Sequence, residues 1–236
     1  MIEAVVFDWG GTLSVWVDTD LAEMWRLVAR HLAPHEPHRE HELCARLAAI
    51  EERAWARSSV DQRSFTLHQV LTEASEELGL DVEAAVYDEA SAHYLDAWTR
   101  HITHDPDAVG VLGDLRRRGL AIGLLSNTHW PPDYHEHFLE RDGLAPLIDV
   151  RLYTSELERT KPHPSVFRLA LDRLGVEDPA RAIFVGDRPL DDIVGAKAAG
   201  LRAVLRKGST VPLADVEPDA VISSLPELLT LVDAWR

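Results

Sequence analysis

Asp8 closes the apolar run "AVVF", and Gly10, Gly11 and Thr12 follow it at once. Glycines there permit a tight turn and a close approach of backbone to a ligand, so the amides after Asp8 can form an anion-binding turn. Three later stretches also bring reactive groups to the ends of apolar runs. Ser126 and Asn127 close "IGLLSN", Lys161 stands in "TKPHP" after a further strand, and Asp187, Asp191 and Asp192 follow "IFVG". Ligands of open parallel sheets bind at the carboxyl ends of the strands. A carboxylate, a hydroxyl, an ammonium and an acid cluster therefore meet at one edge, a set suited to acting on a charged ligand.

Each group alone has a plain structural use. An Asp after a strand caps or turns the chain, Ser-Asn forms turns, and a lysine is commonly solvated. Asp191 and Asp192 complement the dipole in the first turn of a helix. Four such groups in this order, each at a strand end, make coincidence the weaker explanation.

The stretches "FDWGGTL", "LLSN", "KPHPSVF" and "GDRPLDDIVGAKAAG" resemble, in order, the four motifs of the haloacid dehalogenase-like hydrolase superfamily. The resemblance spans about the whole chain. Its last motif is the most specific, because it fixes an acid pattern and a following helix together. It implies a Rossmann-like core, a magnesium ion (Mg2+) and an aspartyl nucleophile. Carried over by position, Asp8 is the nucleophile and a magnesium ligand, Asp187 a second carboxylate ligand and the Gly10 carbonyl a third. Ser126 donates to a phosphate oxygen, and Gly10, Gly11, Thr12 and Asn127 line the same phosphate site. Lys161 pairs with Asp8 and the phosphate as a point charge. Asp192 belongs with the metal group, orienting its waters or Lys161, while Asp191 assists at the helix start. Such a site splits ester hydrolysis into two steps, with a divalent cation neutralising the charge that nucleophile and phosphate bring together.

Gly10 departs from the pattern. Many phosphatases of the superfamily carry Asp two residues after the nucleophile, as general acid and then base, assistance worth about 10²–10⁴-fold. Three readings stay open. The chain resembles sugar-phosphate phosphatases with "DxG" in this motif, where water or a substrate group handles the proton; or it runs another reaction of the superfamily; or it binds phosphate without turnover. "FDWGGT" is also similar to the "DWAGT" motif of phosphonoacetaldehyde hydrolases, which need a cap-domain lysine for a Schiff base. The three lysines here, Lys161, Lys197 and Lys207, all lie outside that region. The 2-haloacid dehalogenases carry tyrosine at the Gly10 position and do without magnesium, which leaves Asp187 no task. The leading expectation is a magnesium-dependent phosphatase of a small phosphorylated metabolite. The alternative is a weakly active or inactive phosphate-binding regulatory protein. A phospho-accepting receiver domain accepts at a middle strand, whereas Asp8 ends the first.

Strands and helices must position these groups. "IEAVVFD", "LAIGLLSN", "IDVRLYTS", "RAIFVGD", "LRAVLRK" and "DAVISS" read as strands. Helices running from Pro106 to before Gly119, from Pro164 to Gly175 and from Pro189 to Gly200 carry proline near the start and glycine past the end. The alternation predicts a parallel sheet covered on both faces, an α/β Rossmann-like core. Residues 15–105 read as helices only. Apolar residues recur at helical spacing from Leu21 to Leu32, Leu43 to Ala54, Leu67 to Leu78 and Val86 to Ala97. Asp18 to Asp20 and Ser64 are candidate N-caps, Gly79 a helix stop, and "HLAPHEPHREHE" (His31–Glu42) a loop. The expected division is a core of residues 1–14 and 106–236 and a helical cap domain of 15–105. By the resemblance the cap selects the leaving group. Trp16, Trp25, Arg53, Arg57, Arg63 and the polar stretch "RSSVDQRSF" (Arg57–Phe65) are its candidate contacts. His129 either lines the pocket or sits in a turn before Pro131.

Composition sets the outer bounds. A chain of 236 residues, 46% hydrophobic, suits one domain with an insertion and builds a sizeable core. A net charge of −16 argues against nucleic-acid or anionic-membrane partners. It leaves room for a small phosphorylated ligand, since local positive charge outweighs a distant field. The lone cysteine, Cys44, forms no internal disulfide and fits a reducing cytosol. The chain opens on no basic-then-apolar leader, and no apolar run reaches the roughly 18 residues that span a bilayer. The expectation is a soluble, cytoplasmic protein.

Overall fold

Short apolar runs that are buried on both faces pair in parallel. The computed structural model describes residues 1–15, 17, 19–35, 37–208 and 216–235, so Trp16 and Asp18 lie outside the described residues. Ala4–Phe7 (β1), Ala121–Ser126 (β2), Val150–Tyr153 (β3), Ala182–Gly186 (β4), Arg202–Arg206 (β5) and Ala220–Ile222 (β6) form one parallel sheet. All six fall inside the strands expected from sequence. Their order is β3-β2-β1-β4-β5-β6. The chain builds outward from β1 to β3, then crosses back to β4, so the strand order reverses between β1 and β4. Ligands of such sheets sit at the carboxyl ends beside that reversal. Phe7 pairs with Leu124 on one side and Val185 on the other, so Asp8 emerges between the ends of β2 and β4.

The helices are Leu21–Leu32 (α1), Glu40–Asp61 (α2), Leu67–Glu77 (α3), Ala84–Thr99 (α4), Ala108–Arg117 (α5), Pro132–Arg141 (α6), Pro164–Leu174 (α7), Gly195–Ala199 (α8) and Glu227–Trp235 (α9). Alternation along β1 sends Val5 and Phe7 to one face, against α5 and α9, and Ala4 and Val6 to the other, against α7 and α8. Each fully buried Val, Leu or Phe contributes about 1.5–3 kcal/mol to the two resulting cores. A third cluster belongs to α1–α4 and holds Trp25, Leu43, Leu47, Ile50, Leu71 and Tyr94, with Trp25 and Tyr94 stacked at 4.1 Å. No helix among the described residues is long and apolar enough to cross a membrane.

Several local expectations change. The helix expected from Pro189 starts as a π-helical turn, Pro189–Val194, before α8. Thr66, not Ser64, caps α3: its hydroxyl accepts from Gln69 N, and the Gln69 side chain accepts from Thr66 N. The reciprocal cap needs Glu or Gln three residues on, and Ser64 is followed there by Leu67. The His31–Glu42 loop is shorter than expected, since α1 runs to Leu32 and α2 starts at Glu40. The stretch Arg57–Phe65 is not all loop either, because α2 continues to Asp61.

That helix end matters to the site. Gln62 adopts φ 57, a left-handed conformation that costs a non-glycine residue roughly 1–2 kcal/mol. The turn lets the chain lie against residues 157–160. Thr160 N donates to Gln62 O at 3.0 Å and Ser64 N to Glu158 O at 3.2 Å. The Ser64 hydroxyl bonds the Leu157 carbonyl, and the Ser58 and Thr160 hydroxyls lie 3.4 Å apart. The four-helix layer is thus tied to the segment that leads into Lys161.

Candidate active site

The nucleophile-type carboxylate is placed by the sheet itself. Asp8 N donates to Val185 O at 2.9 Å, the last rung of β1 against β4. The chain then wraps one carbonyl: Leu13 N, Ser14 N and the Ser14 hydroxyl all donate to Trp9 O, at 3.0, 2.8 and 3.1 Å. Gly11 makes this turn possible with φ 80, whereas Gly10 stays out of the left-handed region. The glycine requirement is therefore strict at Gly11 only. Thr12 is fully buried, and its hydroxyl has no hydrogen-bond partner among the described residues. Ser126 ends β2 and is buried as well.

Lys161 is the centre of charge. Its Nζ donates to Asp8 Oδ1 at 2.6 Å and to Asp192 Oδ1 at 2.7 Å, with only 3% of the residue exposed. Asn127 fixes its backbone from both sides: Asn127 Nδ2 donates to Lys161 O and Lys161 N donates to Asn127 Oδ1, each at 2.9 Å. The Asn127 side chain, expected on phosphate, thus also clasps the Lys161 backbone. Asp192 Oδ2 accepts from Arg188 N at 2.8 Å, an arrangement supplied by the π-helical turn. The Asp191 carboxylate lies 3.6 Å from the Arg188 guanidinium.

Asp8, Asp187 and Asp192 are all buried and offer one oxygen each within 4.8 Å of one another. Burial raises the Asp8 carboxyl to about 7; Lys161 opposes the rise, and Asp192 and Asp187 add to it. Burial by itself lowers the Lys161 ammonium, but Asp192 and Asp8 more than reverse it, so its value is raised and the group stays charged. Lys161 bonds two of these buried carboxylates and the Arg188 guanidinium faces the group, and a hard divalent cation suits the oxygens they offer. The donor set fits magnesium.

Gly186 leaves room for this arrangement. A Cβ there would stand 2.3 Å from Asp192 Cγ and Oδ2. Gly186→Ala should push Asp192 off Lys161, lowering kcat at least tenfold and stability by about 1–3 kcal/mol in urea unfolding. Unchanged kinetics would show that the Asp192–Lys161 contact has no part in turnover.

One network escaped sequence reasoning. Trp9 Nε1 donates to His104 Nε2 at 3.0 Å, and His104 Nδ1 lies 2.7 Å from Asp142 Oδ2. The Asp142 carboxylate fixes the tautomer, leaving Nε2 to accept the indole N–H and anchor the residue beside Asp8. Arg206 braces the same loop through the Thr12 carbonyl and the Asp105 carboxylate. The expected cap contacts have partners within the protein. Trp25 is fully buried and donates to Glu51, Arg53 and Arg57 are engaged by Glu73, and Arg63 faces Glu158.

Comparison with known proteins agrees with this geometry. The sequence profile of the haloacid dehalogenase-like hydrolases matches residues 2–200. A phosphoserine phosphatase of Thermus thermophilus is 39% identical over 124 residues, 52% of this chain and 49% of that protein. A phosphoglycolate phosphatase of Escherichia coli is 32% identical over 129 residues, with the same shares covered. The chain spans about half the length of the curated relatives it matches. Among solved structures, a 2-haloacid dehalogenase from Pseudomonas syringae superposes with a TM-score of 0.75 at 27% identity, covering 100% of both chains. A phosphatase from Thermococcus onnurineus gives 0.68 at 26%, covering 98% of both. The parallel sheet, the four strand-end motifs and the profile match together make this chain a member of the haloacid dehalogenase-like hydrolases.

Proposed function

We propose that the protein is a magnesium-dependent phosphatase of a small phosphorylated substrate, with Asp8 as nucleophile. The observation that carries this reading is Lys161 held between Asp8 and Asp192, with Asp187 beside them, at the strand-order reversal. Acting on a phosphoryl group needs the extra acids for a cation. Asp8, Asp187 and the Gly10 carbonyl would hold magnesium, with Asp192 next to it. When bound, the ion neutralises phosphoryl oxygens and the attacking carboxylate together.

The residues then divide the work. An Asp8 oxygen attacks phosphorus, the bond to the ester oxygen breaks, and an aspartyl-phosphate forms. Lys161, the Ser126 hydroxyl, the Thr12 hydroxyl and the amides of the turn at Gly11 hold the phosphoryl oxygens. Water next attacks phosphorus, restoring the Asp8 carboxylate and releasing phosphate. The leaving alkoxide takes its proton from water or from the substrate, because Gly10 carries none. Residues 1–14 and 106–236 act as the core in this reading, and residues 15–105 as a cap that opens to admit substrate. The near-complete burial of Asp8, Lys161 and Asp187 supports that assignment. A cytoplasmic setting suits the single buried cysteine, Cys44.

Turnover of p-nitrophenyl phosphate with magnesium, and its loss in EDTA, tests the proposal; hydrolysis unaffected by EDTA contradicts it. Gly10 itself favours a second reading, a phosphate binder with little turnover. Gly10→Asp discriminates. Gly10 is outside the left-handed region, so its φ does not bar an Asp there. The variant should raise kcat for alkyl phosphates about 10-fold or more and leave acetyl phosphate, whose leaving group needs no acid, nearly unchanged. Equal rates on alkyl phosphates would mean the proton is already supplied in the wild type.

A further inference from the structure

Trp9 follows the nucleophile directly, is buried, and has no part in the chemistry above. Three rings fix its indole. His104 Nε2 accepts its N–H at 3.0 Å, the His135 ring meets it at 85° with centroids 4.6 Å apart, and Trp130 lies at 6.3 Å. The backbone of the same residue is the hub of the turn, since its carbonyl takes Leu13 N, Ser14 N and the Ser14 hydroxyl. Asp8 is tied to β4 through its own N–H and to Lys161 through Oδ1. The peptide on its other side depends on where Trp9 sits.

His104 belongs to the segment that returns from α4 to α5. There Val15 N donates to Thr103 O and Asp105 N to Leu13 O, so His104 stands opposite Ser14 in an antiparallel bridge. The backbone thus holds one end of the residue and Asp142 the other. With Nδ1 2.7 Å from the Asp142 carboxylate, Nδ1 carries the proton and Nε2 a lone pair. An indole N–H only donates, so that lone pair is what Trp9 requires. Burial lowers the titration of His104; Asp142 opposes the fall and Arg141 adds to it. His135, pushed down to about 3 by burial, brings no charge to the cluster. A protonated His104 would turn a second N–H on the indole and break the bond.

We infer that His104 is a positioning residue for the nucleophile: as the Nδ1–H tautomer set by Asp142 it holds Trp9, and through Trp9 the angle at which Asp8 meets phosphorus. The inference rests on the phosphatase reading. A role in packing alone would ask for a ring or an aliphatic group of similar size. It would not ask for a donor toward Asp142 and an acceptor toward Trp9 on one buried side chain. Reacting groups displaced by about 1 Å lose up to 10² in rate, so the bond is felt in turnover more than in substrate binding.

Two readouts test this. In nitrogen-labelled wild type, NMR should show His104 as the Nδ1–H tautomer, with the Trp9 indole N–H, recognised by its contact with the His104 ring, shifted downfield and slow to exchange. In kinetics on p-nitrophenyl phosphate with magnesium, His104→Leu, which only fills the space, should lower kcat about ten- to a hundredfold and leave KM within about twofold. His104→Gln, whose side-chain oxygen can stand where Nε2 stood, should recover most of that loss. Trp9→Phe should lose as much as His104→Leu, and the double variant no more. An Nε2–H tautomer, equal kcat in His104→Gln and His104→Leu, or losses that multiply in the double variant overturns the inference. The wild-type spectrum decides should the variants fail to fold. If the wild type hydrolyses no ester, the phosphatase reading has failed separately, and the placement of Asp8 is read from magnesium alone. Its binding should weaken at least threefold in His104→Leu and return in His104→Gln; equal binding in all forms, or none in any, overturns the inference.

Discussion

Asp8→Asn should cut kcat for any phosphate ester by about 10⁴-fold or more, the scale at which a removed nucleophile is felt. The same change should stabilise the metal-free protein. In the folded state burial holds the Asp8 carboxyl at about 7, against an ordinary 3.8. A carboxyl raised on folding favours the protonated form, so its contribution is fully favourable below about pH 4 and is lost as pH rises toward 7. Metal-free wild type should therefore lose on the order of a few kcal/mol across that window, and Asp8→Asn should not. Thermal unfolding in EDTA between pH 4 and 8 checks this. The variant should melt higher than wild type at pH 8, with the gap narrowing toward pH 4. Parallel curves would mean that Asp8 is not the strained member of the cluster. Magnesium should recover the lost stability of the wild type at pH 8.

Lys161→Met should have the larger effect on folding. The ammonium is buried between two carboxylates, and removing one partner of such a set leaves uncompensated charge, at a cost of about 3–5 kcal/mol. The cost should shrink as pH falls and the acids take up protons. Activity should fall by about 10³-fold, since phosphoryl charge loses its fixed counter-ion. Lys161→Arg should not rescue either property. A planar fork cannot reproduce two bonds of 2.6 and 2.7 Å made by one compact ammonium inside a fully packed site. Urea unfolding with kcat measured on the same samples would separate the two effects. A stable and active Lys161→Arg would show that only net charge matters there.

Much of this was legible in sequence because the chemistry sits where simple periodicities end. A parallel strand buried on both faces is an unbroken apolar run, so the breaks at Asp8, Ser126 and Asp187 marked the sheet edge. Four helical stripes between residues 15 and 105 each became a helix, because one apolar face of every helix packs into a shared core. Helix α6 was missed although Pro132 and Gly143 bracket it, since its ten residues are mostly polar and histidine-rich. Helix α9 carries no flanking glycine signal and was missed too. The side-chain networks were beyond reach for a different reason. Trp9 meets His104 across 95 positions, and His104 meets Asp142 across 38, so no spacing links them. Glu51 reads as an ordinary charged position on α2 until the loop after β2 folds His129 against it. Asn127 shows the same limit: its type suits phosphate, and only the fold shows that its side chain also clasps the Lys161 backbone.

The central claim is that Asp8 carries the phosphoryl group between the two steps. A single-turnover reaction with 32P-labelled substrate and magnesium, quenched in acid along its time course and digested, tests it directly. The account predicts transient, hydroxylamine-labile label on the peptide that contains Asp8, appearing before free phosphate. Phosphate release with no label on that peptide at any time, or label on another residue, would contradict it.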